Sequence, residues 1–379
     1  MAGVGLADLA GGVLVHDWVE PVGGSENVLE ALAALMPGAD LVCAWMNAPQ
    51  RFPGRRIVET RLAHRPWRGR KSLALPVSAL TWRHVRDAGY RWALVSSHSF
   101  AHHCRFAGQP DDFTKLVYVH SPARYVWSPE LDPRGAHPAV RLAAAPLRVL
   151  DRHRAGEAAA LAANSTHVRE RIRRYWHRDA TVIHPPVAVT EIQRGDAHDA
   201  LTEAERMIVD QLPERFLLGA SRLIPYKRLD VVISVADDLG WPVIIVGAGP
   251  EEAALRRLAA TVDVDVRFVG EVSVPLLRCL YARAHCYLFP PVEDFGIMPV
   301  EAMAAGCPVV AADVGGTVDS VRDGVAGHRV RDWSDRAAVR DAVRRASALD
   351  RGAVRAAAQD FSAERFAVRV EEWVRANVG

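Results

Sequence analysis

PPVEDFGIMPVEAMAAGCPVV, residues Pro290 to Val310, leaves one apolar run, passes through an acidic loop and enters a helical pattern. Glu293 falls in the loop and Glu301 eight positions later, with Phe295-Gly296 between them. Pro299 is read as opening the helix, since proline's missing N–H has no partner to lose in a first turn. Glu301 is then expected in that first turn, where backbone donors are unpaired and the helix dipole is positive. Two carboxylates so separated can hold two sets of sugar hydroxyls at once; on their own they equally describe a loop acid and an ordinary acidic helix start.

Outward from this stretch, apolar runs and helical patterns alternate in both directions. FLLGASRL, PVIIVGAGP, VRFVGEV, CYLFPP and PVVAADVGG read as buried strands, and VVISVADDL, EEAALRRLAA and PLLRCLYARA as helices between them. In the first half, GVLVHDW, ADLVCAW, WALVSSH, TKLVYVHS, AALAANS and ATVIHPPV read as strands, with SENVLEALAALM and the region from the Arg150s to the Glu170s carrying helical spacing. The pattern predicts two α/β domains with doubly wound parallel sheets. The expected division is residues 1–190, a polar connection at 191–212, a second domain at 213–355, and a C-terminal helix at 356–379. A chain of 379 residues is also longer than one core usually fills.

Composition excludes several classes. Half the residues are hydrophobic and 24% charged, which are globular values, and no apolar run approaches the roughly 18–20 residues of a membrane span. The start lacks a basic segment before its apolar GVLV, which reads as a strand rather than a signal peptide. Five cysteines with no C-x-x-C spacing fit packed, reduced thiols of a cytoplasmic protein and argue against a zinc site. Net charge is only +2, but Arg51 to Arg105 holds twelve Arg or Lys against Glu59 and Asp87. Phe52, Trp67, Trp82, Tyr90 and Trp92 are interleaved there. Such a segment predicts attraction to an anionic membrane surface, at about 1 kcal/mol per basic residue near the lipid, with Trp67 or Trp82 inserting. The alternative is an arginine-rich but ordinary solvated face. No nucleic-acid module is recognisable.

Gly219 to Arg228, GASRLIPYKR, follows a clean strand and places Arg222 and Lys227 in one loop. Together with the Glu293–Glu301 segment it resembles the retaining nucleotide-sugar glycosyltransferases of family 4, whose E-x7-E and S-R-L-x-x-x-K wording it nearly repeats. The first domain adds Gly23-Gly24-Ser25-Glu26, similar to that family's G-G-x-E loop, and His120-Ser121-Pro122-Ala123-Arg124-Tyr125-Val126-Trp127, similar to bacterial polysaccharide mannosyltransferases. Asn27 stands where relatives often carry Arg, and Ser128-Pro129 where they often carry an acid.

The resemblance implies the GT-B architecture, two Rossmann-like domains facing across a cleft. It implies that Arg222 and Lys227 neutralise the leaving diphosphate, that Glu293 with the backbone of Phe295, Gly296 and Ile297 holds the donor sugar, and that Glu301 holds the ribose. Catalytic roles fall to His120, Arg222, Lys227 and Glu293. Gly23, Gly24, Gly247 and Val272 complete the donor site, and Glu26, Ser97, Arg124 and Tyr125 stand on the acceptor side. Ser25 is expected to cap the first helix. Gly247-Ala248-Gly249 lacks the third glycine of a dinucleotide loop, so a tight turn is expected there rather than NAD. The implied activity moves mannose from GDP-mannose to a polysaccharide or glycolipid precursor, with no cofactor and no metal. A UDP-sugar donor with a soluble or natural-product acceptor, a phosphorylase or synthase, and a non-catalytic sugar-nucleotide-binding protein are the rivals. The implied partners are the nucleotide sugar, a lipid-linked or saccharide acceptor, and the inner face of the membrane.

Overall fold

The computed structural model describes residue 6 and residues 10–86, 89–128 and 138–378. Asp87 of the basic segment and Pro129 lie outside them. The chain divides into two compact units, Met1–Pro186 with Glu364–Gly379, and Val187–Ala363.

In the first unit, β1 (Gly12–His16) leads through a loop to α1 (Gly24–Leu35), followed by β2 (Asp40–Cys43), β3 (Ile57–Glu59), α2 (Lys71–Thr81), β4 (Trp92–Ser97) and β5 (Thr114–Val119). Then come α3 (Arg124–Trp127), α4 (Pro138–Ala155), β6 (Ala160–Ala163), α5 (Thr166–Trp176) and the two-residue β7 (Thr181–Val182). The seven strands are parallel in the order β3-β2-β1-β4-β5-β6-β7. Alternate strand residues enter opposite cores. Val13, Val15, Val95 and Val117 face one, while Leu14, Leu94, Leu116 and Tyr118 face the other. A sheet covered on both faces needs continuous apolar strands, which is why they were legible as runs rather than as alternations.

The second unit opens with α6 (Val189–Arg194) and α7 (Glu203–Asp210), then β8 (Leu217–Ala220), α8 (Leu229–Leu239), β9 (Val243–Val246), α9 (Glu252–Ala259), β10 (Val266–Gly270) and α10 (Val274–Arg283). It continues with β11 (Cys286–Phe289), α11 (Ile297–Ala304), β12 (Val309–Ala312), α12 (Thr317–Ser320), β13 (Gly327–Val330), α13 (Arg336–Ser347) and α14 (Arg351–Ala358). Six parallel strands run in the order β10-β9-β8-β11-β12-β13. The final helix, α15 (Ala363–Val378), sends Phe366, Val370, Trp373 and Val374 into the Leu14 face of the first sheet. Their spacing is that of a single helical stripe.

Two expectations are corrected. Residues 191–212 are not a free connection: Ile192, Leu201, Val209 and Leu212 are buried in the second unit's core, and Thr202 starts α7 with a complete capping box to Glu205. Pro299 does not open α11, which begins at Ile297 after Gly296 in the left-handed conformation. Pro299 is its third residue, where an N–H is still without an intrahelical acceptor, and Glu301 therefore sits in the second turn rather than the first. The edge strands β3 and β13 were missed, being three and four residues long with partly polar faces.

Each sheet reverses its strand order once, between β1 and β4 in the first and between β8 and β11 in the second. In open parallel sheets the crevice beyond such a reversal, at the strands' carboxyl ends, is where ligands bind. Both reversals carry the polar residues singled out above.

Candidate functional site

At the second reversal, the loop after β8 holds Arg222 and a short helical turn ending in Lys227, and the loop after β11 holds Glu293. The two loops meet. Lys227 Nζ donates to Glu293 Oε1 at 2.5 Å, and both side chains are largely buried. Lys227 also lies over the rings of Tyr226 and Phe289, at 5.0 and 5.7 Å from their centroids. Arg222 is exposed, and no described residue pairs with its guanidinium. One cation of the expected pair is thus open to a ligand, while the other already holds a carboxylate.

Backbone packing sets these loops. Gly247 adopts φ 122°, and a Cβ there would overlap the Ser221 carbonyl oxygen. Ser221 N–H donates to Val246 O and Leu223 N–H to Ala248 O, so the G-x-G turn is a bed for the Arg222 loop rather than a phosphate cradle of its own. Gly316 plays the same part for the acidic loop. Its N–H donates to Glu293 O at 2.8 Å, and a Cβ would overlap Phe295 Cα. The Gly315-Gly316 pair was visible in sequence as the end of PVVAADVGG, but its role was not, because its partner lies more than twenty residues away.

Phe295 is buried with its ring against Phe361, ring centroids 5.6 Å apart, so the ring is closed to a ligand. Gly296 supplies the left-handed cap of α11, and Ile297, partly buried, is its first residue. Val272, in the loop after β10, packs partly buried on the same core. Glu301 points near the phenols of Tyr281 and Tyr287. Burial pushes its carboxyl above the usual range, with the Arg278 charge opposing, and no described side chain hydrogen-bonds it. An unpartnered, desolvated carboxyl is a strong acceptor for a hydroxyl that arrives with a ligand.

At the first reversal, three histidines gather: His16 at the end of β1, His98 after β4 and His120 after β5. Ring centroids of His16 and His98 lie 5.3 Å apart, and each lies 6.3 Å from His120. Asp17 fixes the floor. Its buried carboxylate accepts the backbone N–H groups of His98, Ser99, Phe100 and Ala101 at 2.8–2.9 Å, tying the end of β1 to the turn after β4. The sequence shows His16-Asp17 at a strand end but not this partner set, which is entirely backbone and long-range.

The acceptor-side expectations fare unevenly. Glu26 is buried with Oε1 accepting Glu20 N–H and Oε2 accepting the Ser25 hydroxyl, and a Cβ on Gly23 would overlap it. Ser25 is therefore not the cap of α1; Gly23 holds that position, and Gly24 begins the helix. Ser97 is buried against His102 Nδ1 at 3.1 Å, and Tyr125 is buried with its hydroxyl 3.0 Å from Ser99 Oγ. These three groups serve their own loops, since a polar atom at a buried strand end must find an internal partner. Arg124 remains partly exposed.

The H-S-P-x-R-Y-x-W run turns out to be anchored on Asp151 of α4. Asp151 Oδ1 accepts from His102 and His103 Nε2 at 3.0 and 2.8 Å, and Oδ2 accepts from the Trp127 and Trp176 indoles at 2.7 Å. His102, His103 and Asp151 stand close enough to bind a metal, but every one of those ligand atoms is already engaged by these bonds. Burial pushes the Asp151 carboxyl up, yet the electrostatic pull of His102 and the hydrogen bonds of both histidines outweigh it and hold it well below the usual range. Burial and the neighbouring His102 push His103 down to about 3, and burial pushes His16 down to about 4.

Residues 204–358 match the family model described as glycosyl transferases group 1, a stretch that contains Arg222, Lys227, Glu293 and Glu301. D-inositol 3-phosphate glycosyltransferases of Mycobacterium bovis and Mycobacterium tuberculosis are 37% identical over 168 residues, 41% of this chain. The match spans 34% of those relatives' length. Among solved structures, the Anabaena protein HepE in complex with UDP-glucose aligns with 96% of this chain and 99% of its own, at 17% identity and a TM-score of 0.67. Sucrose-phosphate synthase of Thermosynechococcus elongatus aligns over 96% and 98%, at 18% identity and the same TM-score. At such identities the likeness establishes the fold, that of the two-unit GT-B structures.

The histidines make the first unit sensitive to acid. Both fold as neutral rings, so the unfolded chain binds the extra protons below its ordinary histidine pKa of about 6.5. Stability is complete above that pH and falls as pH drops towards about 4, with a slope of up to about 1.4 kcal/mol per pH unit for each ring. Asp151 adds to the loss only below about pH 4, where the unfolded carboxyl protonates. Urea titrations between pH 7.5 and 5 check this; equal stability at both ends would mean that neither ring is held neutral.

Proposed function

We propose that this chain is a retaining glycosyltransferase that takes a sugar from a nucleotide-diphosphate donor, best read as GDP-mannose, and places it on a hydroxyl of a cell-surface polysaccharide or glycolipid precursor. The observation that carries the reading is the Lys227–Glu293 pair that joins the loops after β8 and β11, with the open Arg222 in the first of those loops and the unpartnered Glu301 on the helix that follows the second. Arginine offers a planar fork to phosphate oxygens and lysine a compact charge. Negative charge grows on the diphosphate as the anomeric bond breaks, so these cations act most in the transition state. Glu293 and the backbone at 295–297 hold the donor sugar, and Glu301 accepts the ribose hydroxyls.

Retention follows if the departing diphosphate stays on the face that the acceptor attacks. The bond from the anomeric carbon to the diphosphate oxygen breaks, the bond to the acceptor oxygen forms on the same face, and the acceptor proton passes to the diphosphate. With two cations on the diphosphate, the reaction needs no metal and no cofactor. The likeness to HepE bound to UDP-glucose favours a UDP-sugar as the second reading of the donor.

For the acceptor side we propose contact with an anionic membrane surface, through a smaller area than the whole basic segment. Arg51, Arg56, Arg68, Lys71 and Arg83 are paired with Glu30, Asp40, Glu59, Glu20 and Glu157, and Arg55 caps the carbonyls at the end of α1. Trp82 is fully buried and Trp67 packs on the core, so neither is available to insert. Exposed instead are Leu73 and Leu80, two turns apart on one face of α2 at 48% and 60%, in a segment that also exposes Arg61, Arg65 and Arg70. Apolar residues flanked by arginines suit an interfacial helix.

Arg222→Ala and Lys227→Ala are expected to cut turnover by about two to three orders of magnitude. Activity should persist in EDTA, and GDP-mannose should outcompete UDP-glucose. Near wild-type turnover in both variants removes the clamp, and preference for UDP-glucose moves the donor to the second reading.

Glu293→Gln is expected to separate affinity from use. Freed of its partner, Lys227 should bind the bare nucleoside diphosphate more tightly, while transfer falls because the sugar loses its acceptor. Calorimetry with the diphosphate alone checks the first half; weaker binding would mean that the ion pair supports the loop rather than masks the cation.

In liposome flotation, recovery with anionic vesicles should exceed that with neutral ones and fall as salt shortens the Debye length from about 10 Å at 0.1 M to about 3 Å at 1 M. Leu73→Ser with Leu80→Ser should abolish it without lowering the melting temperature. Equal recovery on both vesicles would point to a soluble acceptor.

A further inference from the structure

Where α3, α4 and α5 of the first unit meet, four guanidinium groups gather on a pair of stacked rings. Trp127 and Tyr175 lie with centroids 4.9 Å apart and planes 15° from parallel. Arg148 and Arg152 Cζ stand 5.7 and 5.8 Å from the Trp127 centroid, and Arg171 and Arg174 Cζ 5.7 and 5.8 Å from that of Tyr175. Arg148 and Arg152 are one turn apart on α4, an i,i+4 spacing at which like charges repel. Arg171 is buried with its Nη groups donating to the Ser121 and Ser128 hydroxyls, so it belongs to the frame. Arg148 and Arg152 are partly exposed and Arg174 is exposed.

The use of their donors separates these arginines from their neighbours. Arg169 and Arg173, also on α5, both pair with Asp179, and Arg178 gives its Nη groups to the carbonyls of Ala155, Gly156 and Ala158. Arg148 and Arg152 use Nε alone, on Val126 O at 2.9 Å and Tyr175 O at 2.8 Å. Their Nη forks, and the whole guanidinium of Arg174, have no acceptor among the described residues. Asp151 lies close, since Trp127 donates to it, but its two oxygens already accept from two histidines and two indoles. A cation over a ring is held without using an N–H. Ring contacts and the two Nε bonds therefore fix the forks and leave their donors unused.

We propose that Arg148, Arg152 and Arg174, built onto the Trp127–Tyr175 stack, form a binding site for a phosphate group. Guanidinium forks match pairs of phosphate oxygens, and a phosphate among them relieves the repulsion between the two α4 arginines. With both charges within 5.8 Å of one ring centroid, salt screens that repulsion only partly, since the Debye length is about 10 Å at 0.1 M. Forks already fixed also lose little freedom on binding. Every residue involved belongs to the first unit, and the inference rests neither on the glycosyltransferase reading nor on the Arg222 loop. The phosphate is that of a soluble phosphate compound or of a lipid headgroup, and the cluster recognises what the two share. The sequence shows Arg148 and Arg152 four apart and Arg174 beside Tyr175, but not that Trp127, far earlier in the chain, brings them together.

Calorimetry with inorganic phosphate, at ionic strength held constant with sodium chloride, tests the site on the full chain carrying Arg222→Ala, so that the Arg222 loop does not compete. Phosphate should bind, and Arg148→Gln with Arg152→Gln should weaken it about tenfold or more, the scale of one charge-assisted hydrogen bond. Arg169→Gln with Arg173→Gln, which removes the same formal charge from paired arginines, should leave binding unchanged. Should the α4 double variant fail to fold, Arg174→Gln, at an exposed position, decides by the same loss. Flotation of the chain with Arg222 intact, on phosphatidylcholine vesicles with and without phosphatidic acid, reads the source. Recovery on phosphatidic acid that the α4 substitutions lower, that the Arg169 and Arg173 substitutions do not, and that inorganic phosphate competes away assigns a lipid headgroup. Phosphate binding without that dependence assigns a soluble phosphate compound. No phosphate binding at constant ionic strength, binding unmoved by the α4 substitutions and by Arg174→Gln, or equal weakening by both double variants would overturn the site.

Discussion

Parallel strands covered on both faces leave polar groups one place to go. Along β1, β4, β5, β8 and β11 nearly every side chain is buried, so hydrophilic residues collect at the carboxyl ends, where the backbone leaves the sheet and its own groups need partners. That demand explains why Asp17 accepts four backbone N–H groups and why Asp151 accepts four side-chain donors. Against this satisfied background the few polar groups that lack a protein partner stand out. Arg222 and Glu301 are two of them, and both lie beyond β8 and β11 where the strand order reverses.

Local patterns carried much of the fold. Buried parallel strands are uninterrupted apolar runs, so β8, β9, β11 and β12 were readable directly, and helices such as α9 and α10 declared themselves by spacing and flanking turns. Pairings and short elements were not readable. β3 and β13 are three and four residues long with partly polar faces, and α11 starts two residues before its proline because Gly296, in the left-handed conformation, ends the preceding loop. The polar stretch at 191–212 looked like a connection because its apolar residues are sparse, yet they are enough to place α6 and α7 on the second core.

The charge pattern was the most misleading signal. Counting Arg51 to Arg105 found little acid within the window, but Glu20, Glu30, Asp40 and Glu157, all outside it, reach back to neutralise Lys71, Arg51, Arg56 and Arg83. A linear window measures charge along the chain, whereas a field depends on charge in space. Likewise, Trp82 and Trp92 mark the core rather than a surface, since large aromatic side chains gain most when removed from water. For the site itself, residue types were legible and their state was not. Nothing in the sequence distinguishes Arg222, left open, from Lys227, already held.

The pairing of Lys227 belongs to a wider economy of amines. The chain has three lysines, and each is matched with a glutamate: Lys71 with Glu20, Lys115 with Glu157 and Lys227 with Glu293. Lys115 is almost wholly enclosed, and Lys71 also rests over the Trp18 ring at 5.2 Å. Arginine supplies the rest of the positive charge and is inert to acylation. Reagents that seek a side-chain ammonium group thus meet a nearly silent surface, and one of their few targets lies within the polar cluster beyond β8. Acylation of Lys227 becomes an occupancy meter: its rate, followed by peptide mass, reports whether the loop around Glu293 is open, filled or rearranged, without any knowledge of what fills it.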